Sequence, residues 1–124
     1  MNAIHTDNAP AAIGPYSQAI EVNGFVFASG QIPIDPATGN FVEGGIKEQT
    51  RQSLTNAQNI LKAAGTDLSH AVKTTVYLNS MDDFAAINEV YAEFFSQPYP
   101  ARSAVAVEKL PKGALVEVEV LAAK

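Results

Sequence analysis

An arginine and a pair of glutamates are the residues of this chain whose types and setting best suit chemistry. Arg102 stands in Pro100-Ala101-Arg102-Ser103, between a proline-rich helix end and a β-prone run, and its next cationic neighbours come several residues later. A guanidinium in that position suits a carboxylate, because its planar fork makes two parallel charge-assisted hydrogen bonds. The competing reading is a surface arginine paired with one of the 13 Asp and Glu residues. Glu117 and Glu119 alternate with Val116, Val118 and Val120, so the two carboxylates share one face of a strand. That pattern equally describes the solvated side of an edge strand. Turned into an enclosed site, Glu117 would hold a water or move a proton.

Geometry constrains how these two can cooperate. In a plain hairpin turning near Pro111-Lys112-Gly113, Glu117 would pair near Val107, about 17 Å from Arg102. A shared site therefore needs either a different strand arrangement or neighbouring subunits. Tyr16 follows Gly14-Pro15, where a turn would aim its phenol, although a core or interface tyrosine fits as well. Ser29-Gly30 ends a β-prone run; glycine lets a backbone approach a ligand closely, and also simply ends strands. Asn88 falls off the Phe84-Ile87-Tyr91 stripe of a helix and reads as a polar helix residue. His5 and His70 have no second ligand at a recognisable spacing, so no metal site is expected. There is no cysteine, no Ser-His-Asp arrangement, no phosphate loop and no dinucleotide glycine pattern. No cofactor is called for.

The elements that must position these residues are legible from periodicity. Residues 16–22 and 25–29 are β-prone and flank Asn23-Gly24, the signature of a type I′ hairpin turn. Asp35-Pro36-Ala37-Thr38-Gly39-Asn40 marks a further tight turn before Phe41-Val42. Apolar or small residues at 46, 50, 54, 57, 61 and 64 predict a helix from about Gly45 to Ala64, with Gly65 as its C-terminal stop. Residues 71–79 predict a strand with Val72, Thr74, Val76 and Leu78 on one face. A second helix is expected to open at Ser80, with Asp82 and Asp83 in its first turn, and to end before Pro98 and Pro100. Strands at 103–107 and 115–121 follow. The order is β-β-α-β-α-β-β, in which two helices cover one face of a sheet: a two-layer α+β domain spanning residues 1–124.

Composition narrows the function classes. The formal net charge is −5, with 8 Lys and Arg against 13 Asp and Glu and no basic run. Phosphate-backbone binding draws on clustered cations, so nucleic acid is not expected as the main partner. No stretch approaches the roughly 20 apolar residues of a membrane span, and the N-terminal residues lack a signal-peptide pattern. The absence of cysteine fits a reducing compartment, and a cytoplasmic location is expected. Phe25-Val26-Phe27-Ala28 is apolar on both faces of its strand, yet no third helix exists to cover the second one. A homo-oligomer is the economical cover, since monomers rarely leave large apolar patches bare.

Four segments in register resemble the RidA (YjgF-type) family of enamine/imine deaminases. They are Gly14-Pro15-Tyr16-Ser17-Gln18-Ala19, Ser29-Gly30-Gln31-Ile32-Pro33, Pro100-Ala101-Arg102-Ser103, and Leu110-Pro111-Lys112 running into Val116-Glu117-Val118-Glu119. The resemblance implies a chorismate-mutase-like fold with a mixed sheet, and a homotrimer with sites between subunits. It implies hydrolysis of 2-enamines and 2-imines, such as 2-aminoacrylate released by pyridoxal-phosphate-dependent dehydratases, to 2-keto acids and ammonia. Under it Arg102 grips the substrate carboxylate, Glu117 positions a water or relays a proton, and Tyr16, Ser29, Gly30 and Asn88 line the cleft. Ala104 stands where many members carry cysteine, which argues against thiol-dependent behaviour. A non-enzymatic keto-acid-binding protein and a ribonuclease or translation inhibitor are the other readings that the resemblance admits.

Overall fold

A computed structural model describes all residues, 1–124. Its strands are β1 (Asn2–Ile4), β2 (Ala19–Val22), β3 (Phe25–Ala28), β4 (Ile34–Asp35), β5 (Asn40–Phe41), β6 (Ala71–Leu78), β7 (Ala101–Ala106) and β8 (Val116–Ala123). Two helices, α1 (Ile46–Ala63) and α2 (Phe84–Phe94), interrupt them. Six strands form one sheet in the order β1-β2-β3-β8-β6-β7, and β4 and β5 form a separate small ladder. The two-layer α+β architecture with a mixed sheet is as the sequence implies; β1, an edge strand on β2, is an addition to the expected order.

Local chemistry explains the element ends. Asn23 and Gly24 take φ of 52° and 79°, the left-handed pair that a type I′ turn between twisted strands requires. The strand expected over 16–22 begins only at Ala19, because Tyr16 is drawn into a tight turn by its N–H to the Gly14 carbonyl at 2.8 Å. Helix α1 starts after Gly45, whose N–H donates to the Glu48 carboxylate at 2.9 Å. Ser80 caps a single 3-10 turn over Met81–Asp83, and α2 proper begins at Phe84, four residues later than expected. It stops at Phe94, ahead of the two prolines.

The core lies between sheet and helices. Val26, Val76, Leu78, Val116 and Val118 meet Leu54, Ile60, Leu61, Ile87 and Val90, all at most 1% exposed. Val72 is a correction: it is 45% exposed instead of sharing the inner face with Thr74, Val76 and Leu78. The β6–β8 register slips between Ala71 and Lys73, and this bulge turns Val72 outward. On the face away from the helices Phe25, Phe27 and Val105 are 40–45% exposed, an apolar surface that one chain leaves uncovered.

Strand order also settles the hairpin question. Strands β7 and β8 do not pair; β6 lies between them, parallel to β7 and antiparallel to β8. The β6–α2–β7 connection is a strand–helix–strand crossover, which places its strands side by side in the same direction. Glu117 and Glu119 are therefore on an interior strand of the sheet, not on an edge.

Candidate functional site

Glu117 lines a cavity of about 730 Å³ together with Tyr16, Ser29, Gly30, Ile32 and Lys112. Valines 116, 118 and 120 are buried against the helices, so Glu117 projects from the opposite face. It is half-buried, and that burial, with the like charge of Glu119 adding to it, holds its carboxyl above the ordinary carboxylate value. Gly30 is what allows the carboxylate its place. A Cβ there would overlap Glu117 Oε1 and stand 3.0 Å from Cδ. The close backbone approach foreseen at Gly30 is thus to a protein carboxylate. Ser29 Oγ donates to the Ser17 carbonyl at 2.6 Å, and Tyr16 is 52% exposed at the cavity wall.

Buried amides fasten this loop-built cavity. Gln18, 3% exposed, accepts from the Thr6 N–H at 2.8 Å and donates to the carbonyls of Thr6 and Pro10 at 3.0 and 2.8 Å. It thereby pins the N-terminal segment that forms one wall. Asn56, fully buried on α1, donates to the Ile34 carbonyl at 2.8 Å. Gln31 extends the sheet by exchanging backbone hydrogen bonds with Val118 at 2.8 and 3.1 Å. Sequence reasoning assigned none of these three a role. The available signal was an amide at an inward-facing position: Gln18 entering a strand, and Asn56 beside the apolar stripe of α1.

Arg102 belongs to a different place. Paired with buried Thr74 in the β6–β7 ladder, it projects toward the helix layer. There α2 presents Phe84, Asn88 and Tyr91, at i, i+4 and i+7 on one face. Arg102 Nη1 donates to Asn88 Oδ1 at 2.8 Å. The guanidinium carbon lies 5.2 Å from the Phe84 ring centroid and 4.7 Å from that of Tyr91. Asn88, half-buried at the border of the apolar stripe, thus faces Arg102. Ala104, two residues along β7, lies on the same face and packs against the core.

The seven residues thus fall into two groups. Tyr16, Ser29, Gly30 and Glu117 share the cavity, while Asn88, Arg102 and Ala104 lie in the layer where α2 and β7 face each other. Glu117 pairs with Tyr77, three residues along β6 from Thr74, the partner of Arg102. That offset is about 10 Å along the strands, plus two ladder spacings of about 4.8 Å and the thickness of the sheet. Within one chain the arginine and the carboxylate do not meet.

This is a small α+β protein with a carboxylate-lined cavity on one sheet face and an arginine clamped between helix and strand on the other. The chain belongs to the YjgF/RidA family: residues 6–124 match the family model described as Endoribonuclease L-PSP. It is 58% identical over 121 residues to a RutC family protein of Pyrococcus horikoshii, covering 98% of this chain and 96% of that one. It is 49% identical to the human 2-iminobutanoate/2-iminopropanoate deaminase, over 96% of this chain and 87% of the relative. The crystal structure of RidA from an Antarctic Psychrobacter superposes with a TM-score of 0.96 at 46% identity, covering both chains fully. No helix is long and apolar enough to cross a membrane.

Proposed function

We propose that this protein is an enamine/imine deaminase, hydrolysing 2-iminobutanoate, 2-iminopropanoate and their 2-aminoacrylate-type enamine precursors to 2-keto acids and ammonia. One observation carries the reading: a chain holds both an oriented guanidinium and a desolvated carboxylate, yet keeps them on opposite faces of its sheet. Copies that bury the bare Phe25-Phe27-Val105 face against one another bring the Arg102 half of one to the Glu117 half of the next. A homotrimer with three such clefts, acting in the cytoplasm, is the assembly proposed. The deaminase name of relatives near 50% identity supports the chemistry.

The reaction asks little of the protein. Arg102 holds the substrate carboxylate through paired hydrogen bonds and fixes the C2=N bond over the cavity. Glu117, as carboxylate, takes a proton from a water that adds to C2. The imine enters protonated, so the adduct is a neutral carbinolamine, and Glu117 returns its proton to the nitrogen. As the C2–N bond breaks to release ammonia, the hydroxyl proton passes back to the Glu117 carboxylate and the carbonyl forms. A carboxyl whose proton affinity is raised by burial suits this two-way traffic better than an exposed one. No thiol is involved, in keeping with Ala104.

The test measures decay of 2-iminopropanoate generated in situ. Arg102→Ala is expected to lower kcat/KM by about 10²–10³-fold with the assembly intact, the worth of a lost bidentate ion contact. Near wild-type turnover in that variant would sink the assignment. The family model's ribonuclease description supplies the second reading, yet Lys112 is the one cation lining the cavity. That reading predicts RNA cleavage weakening steeply with salt. Tight keto-acid binding without turnover would mark a binding protein instead.

A further inference from the structure

The Arg102 side chain is held by more than its bond to Asn88, and the holding groups form a closed circuit. Tyr91 presents its ring 4.7 Å from the guanidinium carbon, and its hydroxyl lies 2.8 Å from Thr74 Oγ. Thr74 is fully buried and is the ladder partner of Arg102 itself. The Tyr91 ring also packs on Phe95, with centroids 4.3 Å apart. Backbone ladder, threonine hydroxyl, phenol, aromatic face and guanidinium thus run back to the residue where they began. Phe84 adds a second ring at 5.2 Å.

We propose that Tyr91 is a positioning residue for substrate binding, its ring and its Thr74 anchor fixing Arg102 in the orientation that receives the carboxylate. This rests on the carboxylate-binding reading of Arg102 and names how that site is preorganised. A guanidinium is weakly hydrated on its faces and carries all five N–H donors in its plane. Covering the faces with aromatic rings directs the donors outward along the edges. A free arginine samples many rotamers, and freezing it on binding costs affinity. Here the freezing has happened before substrate arrives. The Thr74 bond matters because it stops the Tyr91 ring from turning away, and 7% exposure leaves that ring no other place. Sequence alone hides the circuit, since Tyr91 reads as an ordinary core residue of an apolar stripe.

The experiment combines steady-state kinetics on 2-iminopropanoate with ¹⁵N NMR of the Arg102 Nε–H. Tyr91→Leu removes the aromatic face and is expected to raise KM about 10-fold while kcat changes less than about 3-fold. Tyr91→Phe and Thr74→Val keep the ring but lose the anchor, and each is expected to raise KM about 2–3-fold. In the wild type the Nε–H signal should be resolved and slow to exchange; in Tyr91→Leu it should broaden and exchange faster. In an Arg102→Ala background the Tyr91 substitutions should cause no further loss. Unchanged KM and an unchanged Nε–H signal in a folded Tyr91→Leu overturn the proposal. Should Tyr91→Leu not fold, unchanged values in both Tyr91→Phe and Thr74→Val overturn it as well. Full activity in Arg102→Ala would strike the deaminase reading, while the NMR signal would still report whether Tyr91 orders the guanidinium.

Discussion

The two halves of the proposed site are built from unlike material. The Glu117 half is mostly loop, with the N-terminal segment, the turn after β3 and the 3-10 turn before β8 all contributing walls. Loop backbone has no ladder to satisfy its N–H and carbonyl groups, so buried amides of Gln18 and Asn56 do it instead. The Arg102 half is a strand facing a helix, whose backbone is already satisfied, and its order comes from aromatic faces and a hydroxyl. On the proposed reading the carboxylate needs a desolvated pocket and the arginine needs its donors aimed. Hydrogen-bonded loops supply the first and rigid packed elements the second.

The sharpest way to break this comparison is to inactivate each half separately. Glu117→Gln and Arg102→Ala are each expected to lower kcat/KM by at least about 10²-fold. Unfolded, mixed and refolded together, they should recover about a quarter of wild-type activity, because random assembly leaves one cleft in four with both halves intact. Absence of recovery, with mixed oligomers shown by mass spectrometry, would locate the whole site within one chain. Gly30→Ala comes next: the added methyl displaces the Glu117 carboxylate, so kcat should fall about 10–100-fold with unchanged circular dichroism. Gln18→Ala strips a buried amide from the loop half and should cost about 1–3 kcal/mol in chemical denaturation while raising KM. A comparable change in the Arg102 Nε–H signal would contradict the independence of the halves.

A smaller effect separates function from stability. The folded state binds the Glu117 proton more tightly than the unfolded chain does. Ionising this group therefore removes stability as pH rises from the unfolded carboxylate value through the raised folded one. Glu117→Gln escapes that loss. It should melt about 1–3 °C above wild type at pH 8 and lose the advantage near pH 4. Equal melting at both values would mean that burial of this carboxylate carries no cost. The exposed pairs between Arg51 and Glu93 and between Lys47 and Glu89 link α1 to α2, and Arg51→Ala should leave both halves kinetically unchanged.

What was legible in the sequence was what depends on near neighbours. Asn23-Gly24 announces its turn because few other residues tolerate two consecutive left-handed conformations, and the Val116-to-Val120 alternation sorts a strand's faces wherever the strand lies. The bulge at Val72 was not legible, since it arises from register against β8, fifty residues away. The partner of Asn88 was not legible either: its place beside the apolar stripe follows from helical spacing, but that this side of α2 meets Arg102 depends on how the helix packs on β7. The parallel pairing of β6 with β7 follows from the intervening helix and would have excluded the hairpin at once. Gln18 and Asn56 act on carbonyls of remote loops, which no local pattern encodes.

The position of β6 between the two halves has a kinetic consequence. On the proposed reading a lone chain is an inert object carrying two unmatched parts, and the catalyst exists only as a product of association. Its rate should then depend on protein concentration with an order above one at high dilution, approaching one as assembly saturates. A newly made chain would meet reactive imines without acting on them until it found its copies.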